Sequence, residues 1–232
     1  MTEGHIRVRP PAAPRRSRAV QPAAKSERRA AIVRAAESLL HRNPTATFSV
    51  DALARRAGLA KGTVYLYFHT REEVLLALHE QQLHRVLDRL ESALRAPGAS
   101  GRDVVRAGLL HHGEHPEFYP LAGNCRYMLD TNVSTEAALA FKLGLAHRIR
   151  QLGEHVERLY GGLETGEGAA LLMNSYALII GLWQQADTPA VLRKAMERPE
   201  MQIFRIDFER QLEQALIDLW DSAERRGARR KP

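Results

Sequence analysis

The stretch FSVDALARRAGLAKGTVYLYF, residues 48–68, decides the fold. Ser49 is a good N-cap, because its hydroxyl can accept from a backbone N–H left free in the first turn of a helix. Val50, Leu53, Ala54 and Ala57 then recur at helical spacing, and Gly58 stops the run. Glycine tolerates the left-handed backbone that a tight interhelical turn requires. A second short helix starts near Ala60 and runs to about Phe68. Leu53, Ala54, Leu59 and Val64 can form the small core that locks the pair at a fixed angle, and Ala54 and Ala57 allow close approach. Residues 49–68 therefore read as a helix-turn-helix.

The same face-by-face reading extends outward. Upstream, Ile32, Ala36, Leu39 and Leu40 share one helical face, starting at Ser26 and ending at Asn43-Pro44. Downstream, Thr70 and Glu73 read as N-cap and N3 of a capping box opening a helix from about Arg71 to Arg95, with a stripe at Leu76, Leu83, Leu87, Leu90 and Leu94. Pro97-Gly98 closes it. Further helices are expected at about 101–113, 116–129, 134–160, 167–186 and 207–225, with Ser134 and Asp207 as caps and Gly161-Gly162 as a stop. Thr188-Pro189 suggests a minor helix to about Glu197, with proline at its first position. No strand alternation and no internal repeat occur, so the fold is expected to be all-α: a three-helix head followed by a larger helical body. The expected divisions are a disordered basic arm over 1–25, a head over 26–72 and a body over 73–232.

Charge singles out the head. Residues 1–71 hold 14 Lys and Arg against four Asp and Glu, a balance of +10, whereas residues 72–232 hold 20 against 23. A basic end on a near-neutral body suits a polyanion contact made by one module, or else a solubilising tail. Residues 1–25 contain Pro10, Pro11, Pro14, Pro22 and five arginines without apolar periodicity, which reads as disorder. The longest apolar run, Tyr176 to Trp183, is far short of a membrane span. The basic N-terminus has no apolar run behind it and does not read as a secretory signal. With Cys125 as its single cysteine, the chain can form no internal disulfide, and a reducing cytoplasmic setting is expected.

On the second helix of the motif, Lys61 offers charge while Thr63, Tyr65 and Tyr67 offer hydroxyls, chemistries that suit phosphates and base edges. Gly62 lets a backbone come close at the helix start. Arg71 opposes the dipole of the long helix, a local cost that makes sense if it meets an anion. Residues 28–78 resemble the DNA-binding domain of the TetR (tetracycline-repressor-like) family. The resemblance runs in order through Ile32-Val33-Arg-Ala-Ala36, Phe48 to Gly58, Ala60 to Phe68 and Thr70-Arg-Glu-Glu-Val-Leu75. It implies a homodimer on a palindromic double-stranded DNA operator, released as a repressor by a small-molecule inducer. It implies Lys61, Gly62, Thr63, Tyr65 and Tyr67 as the recognition helix, with phosphate contacts by Tyr65 and Arg71 and a backbone contact by Ser49. Asp51 departs from the pattern, standing where some members carry a base-contacting basic residue. The rival reading is a helical interaction protein with a basic tail and no sequence preference.

The body is less explicit. The helices at 167–186 and 207–225 carry excess apolar surface, Leu171, Leu172, Leu178, Ile179 and Leu182 in one and Phe208, Leu212, Leu216, Leu219 and Trp220 in the other. Either a central core helix or a self-complementary subunit interface explains this, and the resemblance favours dimerisation. Phe118, Tyr127, Met128, Tyr176 and Trp183 are candidates for an apolar ligand pocket. His111, His112 and His115, with Glu114 and Glu117, offer metal-ligand types, but Gly113 and Pro116 break the region and no cysteine joins. They read as solvated residues at a helix junction, and no metal or cofactor is assigned. No Gly-rich phosphate loop, nucleophile elbow or zinc-protease pattern is present, so no enzyme activity is expected.

Overall fold

The computed structural model describes residues 20–230. Among them there is no strand, and nine α-helices carry the fold. The head is built from α1 (Val20–Arg42), α2 (Val50–Ala57) and α3 (Lys61–Tyr65). The body follows as α4 (Arg71–Leu94), α5 (Gly101–Glu114), α6 (Phe118–Thr131), α7 (Thr135–Tyr160), α8 (Glu167–Ala186) and α9 (Phe208–Arg230). The first helix begins at Val20 rather than Ser26, so the end of the stretch assigned to the arm is helical. Residues 1–19 of that arm lie outside the described residues.

Local signals place most boundaries. Thr70 Oγ1 accepts from Glu73 N at 3.1 Å. The return bond differs from the expected box: the Glu73 carboxylate accepts from His69 N at 2.8 Å, one residue before the cap. A complete box occurs instead at Ser100 and Asp103, which open α5. The minor helix expected after Pro189 is not α-helical. Residues there form three 3-10 turns, Ala190–Leu192, Ala195–Glu197 and Pro199–Phe204, with no buried side chain among them. Thr188-Pro189 is a local start signal, but a helix also needs an apolar face to bury, and Val191 and Ile203 lie exposed.

Two apolar cores result. Ile32, Val33, Leu53, Val64 and Phe68 fill the head together with Val74 and Leu78 of α4. Leu83, Val104, Phe118, Phe141, Leu152 and Trp220 are among those that fill the body. The 24 residues of α4, about 36 Å at 1.5 Å per residue, serve both. Leu121 of α6 is buried in the head core, so the body also reaches the head through α6. The apolar surplus of α8 and α9 is mostly internal: Leu171, Leu172, Ile179, Leu212, Leu216 and Trp220 are buried within one chain. Trp220 Nε1 donates to Ser175 Oγ at 3.0 Å, and the Ser175 hydroxyl donates to Leu171 O at 2.8 Å. The α7–α8 crossing is close enough that a Cβ on Gly153 would collide with Ala169 backbone, and one on Gly168 with Gly153 O.

Candidate nucleic-acid interface and ligand cavity

Ser49 Oγ accepts from Ala52 N at 3.1 Å, which opens α2. At the other end Leu59 N bonds to Ala54 O at 3.0 Å and Gly58 N to Arg55 O at 3.3 Å. With Gly58 at φ 68° this is a Schellman ending, and it turns the chain into α3. Leu53 and Val64, both essentially inaccessible, pin α2 and α3 together. The head thus holds α3 rigidly, with its outer face free of the core.

The structure spreads the expected contact residues unevenly. Lys61, Gly62, Tyr65 and Ser49 are exposed, and a Cβ at Gly62 would meet nothing within 4 Å. Thr63 is half-buried. Tyr67 lies beyond the end of α3, half-buried against the head core. Lys61 Nζ is paired with Asp51 Oδ2 at 2.8 Å. That hydrogen bond raises the Lys61 pKa above its ordinary value, so the group stays an ammonium. Arg71 is half-exposed and reaches Glu72 Oε1 through Nε at 3.1 Å and Nη2 at 2.8 Å. Its unfavourable place at a helix start is therefore offset by a neighbouring carboxylate within the chain. Sequence reading missed Arg29, whose guanidinium lies 4.7 Å above the Phe68 ring, beside the turn that ends α3. The Arg28-Arg29 pair on an exposed helical face was the available signal.

In the body, a cavity of about 540 Å³ opens between α4, α5, α6, α7 and α8. Its walls are apolar, with Leu87, Val105, Phe118, Ile149 and Ile179 among them, and its polar groups include His112, Lys142, Ser175 and Tyr176. Of the five pocket candidates, Phe118 and Tyr176 line this cavity. Tyr127, Met128 and Trp183 do not: they line a second cleft of about 360 Å³ between head and body, with Phe48, Arg71 and Leu75. Cys125 also faces the cavity, and burial pushes its thiol pKa up, which disfavours the reactive thiolate.

The expected solvated histidine cluster is a correction. His111 and His112 are buried, at 1% and 3% exposure. Burial is the largest cause that drops the His112 pKa to about 3 and that of His111 to about 4, so both are neutral at neutral pH. His112 packs against Phe118 with ring centroids 4.3 Å apart. His111 Nε2 lies 2.8 Å from Gln82 Oε1, a partner on α4. Gly113 and Pro116 mark a junction that stays open to solvent at Gly113 and Glu114, but His111 and His112 just before it face inward, onto Gln82 of α4 and Phe118 of α6.

Residues 32–78 match a family model described as bacterial regulatory proteins, tetR family, and residues 80–226 match the tetracyclin repressor-like C-terminal domain. The chain is 37% identical over 100 residues to the HTH-type transcriptional regulator EthR of Mycobacterium tuberculosis. That match takes in 43% of this chain and 44% of EthR, so it spans less than half of that relative's length. Two solved structures share the fold. A possible TetR family transcriptional regulator from Streptomyces coelicolor aligns with TM-score 0.52 and 23% identity, covering 85% of this chain and 98% of the other. A putative tetR family regulator from Shewanella aligns with TM-score 0.51 and 18% identity, over 84% and 97%. Among the described residues, no helix is long and apolar enough to cross a membrane.

Proposed function

The chain belongs to the tetR family of bacterial regulatory proteins, and from that premise we propose that it is a homodimeric repressor released from a palindromic operator by a small apolar ligand. One observation carries this reading. A rigid α2–turn–α3 unit presents Lys61, Gly62 and Tyr65 outward, on a body that encloses an apolar cavity of ligand size. Tyr65 and Arg71 serve phosphates, Ser49 can still donate its hydroxyl proton, and Lys61 with Thr63 reads base edges. Lys61 and Arg71 must first leave Asp51 and Glu72. The two separate cores support a head and a body as proposed, but the head core takes in Val74, Ala77, Leu78 and Leu121 from beyond the proposed bound at residue 72. The half-buried faces of α8 and α9, with Leu178, Leu182 and Leu219, are the proposed dimer seam.

The ligand is apolar along most of its length with one polar end, because the cavity is apolar except for a few groups such as Lys142 and Tyr176. Ligand would favour a spacing of the two heads that no longer matches half-sites about 34–36 Å apart. The test is anisotropy of labelled upstream DNA against scrambled competitor, with molecular mass measured in parallel. The expected outcome is a dimer that prefers its own upstream DNA by about 10³-fold or more. Tyr65→Ala should weaken binding at every sequence. Equal affinity for all duplexes would favour the rival, a helical interaction protein with a basic tail.

A further inference from the structure

Between head and body, away from the cavity, lies a polar cluster that is buried at Gln82 and Glu117 and half-buried around them. Glu37 comes from α1, Gln82 and Arg85 from α4, His115 from the residue that ends α5, and Glu117 from the residue before α6. Glu117 is wholly inaccessible. Among the described residues its ion-pair partners are histidines: His115 Nδ1 is 3.2 Å from Oε1 and His41 Nδ1 is 3.3 Å from Oε2. Glu37 is paired with Arg85, and its Oε1 is also 3.8 Å from His115 Nδ1. One ligand atom from each of Glu37, His115 and Glu117 lies within 4.8 Å of the others.

At their centre sits the Gln82 amide. Its Nε2 is 2.8 Å from Glu37 Oε1, 2.9 Å from Glu117 Oε1 and 3.4 Å from His115 Nδ1. Its two hydrogens go to the two carboxylates, and His115 Nδ1 stands beside them, so the amide nitrogen occupies the point that a cation shared by these three donors would take. Two carboxylates face each other across this point, and Glu117 is wholly inaccessible. A cation placed between them gains the attraction of both, the more so where water is excluded.

We propose that Glu37, His115 and Glu117 form a site for a divalent cation of the zinc type, which ties α1 of the head to the α5–α6 junction of the body. The spacing fits: ligands at about 2.0–2.1 Å around a tetrahedral ion stand about 3.4 Å apart, against 3.2 and 3.8 Å from His115 Nδ1 to the two carboxylate oxygens. The donor set, one imidazole with two carboxylates, suits a borderline ion. Water would supply the fourth ligand, because His41 is held on the other oxygen of Glu117, 3.3 Å from Oε2. Gln82 must turn its amide out of the site and give up the bond between its Oε1 and His111 Nε2, and Arg85 must release Glu37 Oε1 and hold Oε2, where Nη2 already lies at 3.5 Å. Held this way, α1 loses freedom relative to α5 and α6, so the ion biases the pose of the head.

The experiment uses the full chain stripped by chelator and titrated with ZnCl2, followed by calorimetry and thermal unfolding without DNA. One Zn²⁺ per chain is expected, with a raised Tm. His115→Ala and Glu37→Gln should each bind at least about tenfold more weakly, while the exposed His69→Ala should bind as the wild type does. Glu117→Gln, checked for native helicity by circular dichroism, is the third arm. No uptake at hundredfold excess, as when the cluster takes a proton instead, would overturn the site, as would unchanged affinity in His115→Ala and Glu37→Gln. A regulatory effect of the ion rests on the repressor reading and is measured separately, as a change in DNA affinity that His115→Ala abolishes. Because the titration holds no DNA, its failure leaves that reading untouched.

Discussion

Lys61 is held by Asp51 at 2.8 Å before any DNA arrives. In the proposed complex Asp51 acts against binding in two ways: it competes with phosphate for the ammonium and adds a negative charge beside the DNA backbone. Asp51→Ala should therefore tighten DNA binding at all sequences, by about 3–10-fold at low salt, and steepen the salt dependence by up to about one unit of log–log slope. Anisotropy titrations at several salt concentrations check this. Weaker binding would mean that Asp51 itself accepts from a base. The Lys61 type was legible, because a lysine in a short polar helix after a glycine turn has few structural uses. Its partner was not, since the pairing joins two helices whose crossing angle the sequence leaves open.

Elements were read best where local chemistry ends them. Ser49, Gly58 and Thr70 each act through backbone groups within a few residues, and all three do in the structure what their residue types allow. Crossings between elements carry no such local mark. Gly153 and Gly168 sit mid-α7 and at the start of α8, where helix propensity disfavours glycine, and only the contact between the two helices accounts for them. Gly153→Ala should cost about 1–3 kcal/mol through overpacking and lower the Tm by several degrees. Gly62→Ala, with open space around its Cβ, serves as the control and should leave the Tm unchanged or higher. Equal Tm values for wild type and Gly153→Ala in thermal denaturation would refute the close crossing. The minor helix expected after Pro189 fails for a related reason: its start signal was local, but the segment buries no side chain.

For the molecule as a whole, burial of titratable groups couples stability to pH. His79 is fully buried among Phe118, Phe141 and Tyr176, with Nε2 at 2.9 Å from the Tyr176 hydroxyl. Desolvation first, then Lys142, lowers its pKa from 6.5 to about 3. Below pH 6.5 the unfolded chain binds this proton and the folded chain does not. The His79 contribution is thus complete above pH 6.5 and shrinks as pH falls toward 3, at up to about 1.4 kcal/mol per unit. Urea unfolding from pH 7 to 5 should show at least this slope, since His111 and His112 add to it, and His79→Gln should remove the His79 share. An unchanged slope in that variant would place the proton elsewhere.

The sequence alone determined the all-α class, the helix-turn-helix at 49–68, the long α4 and the family resemblance. Each of these rests on periodicity and on caps that act within one or two turns. Only the tertiary structure decided which apolar faces close on the chain itself, that Tyr127, Met128 and Trp183 leave the main cavity for the head–body cleft, and that His111 and His112 are buried. It also brought Glu37 beside Glu117, 80 residues along the chain. The physical reason is the same throughout. Hydrogen-bonded caps are satisfied by near neighbours, whereas burial and charge pairing are set by whichever distant side chain the packing of whole helices delivers.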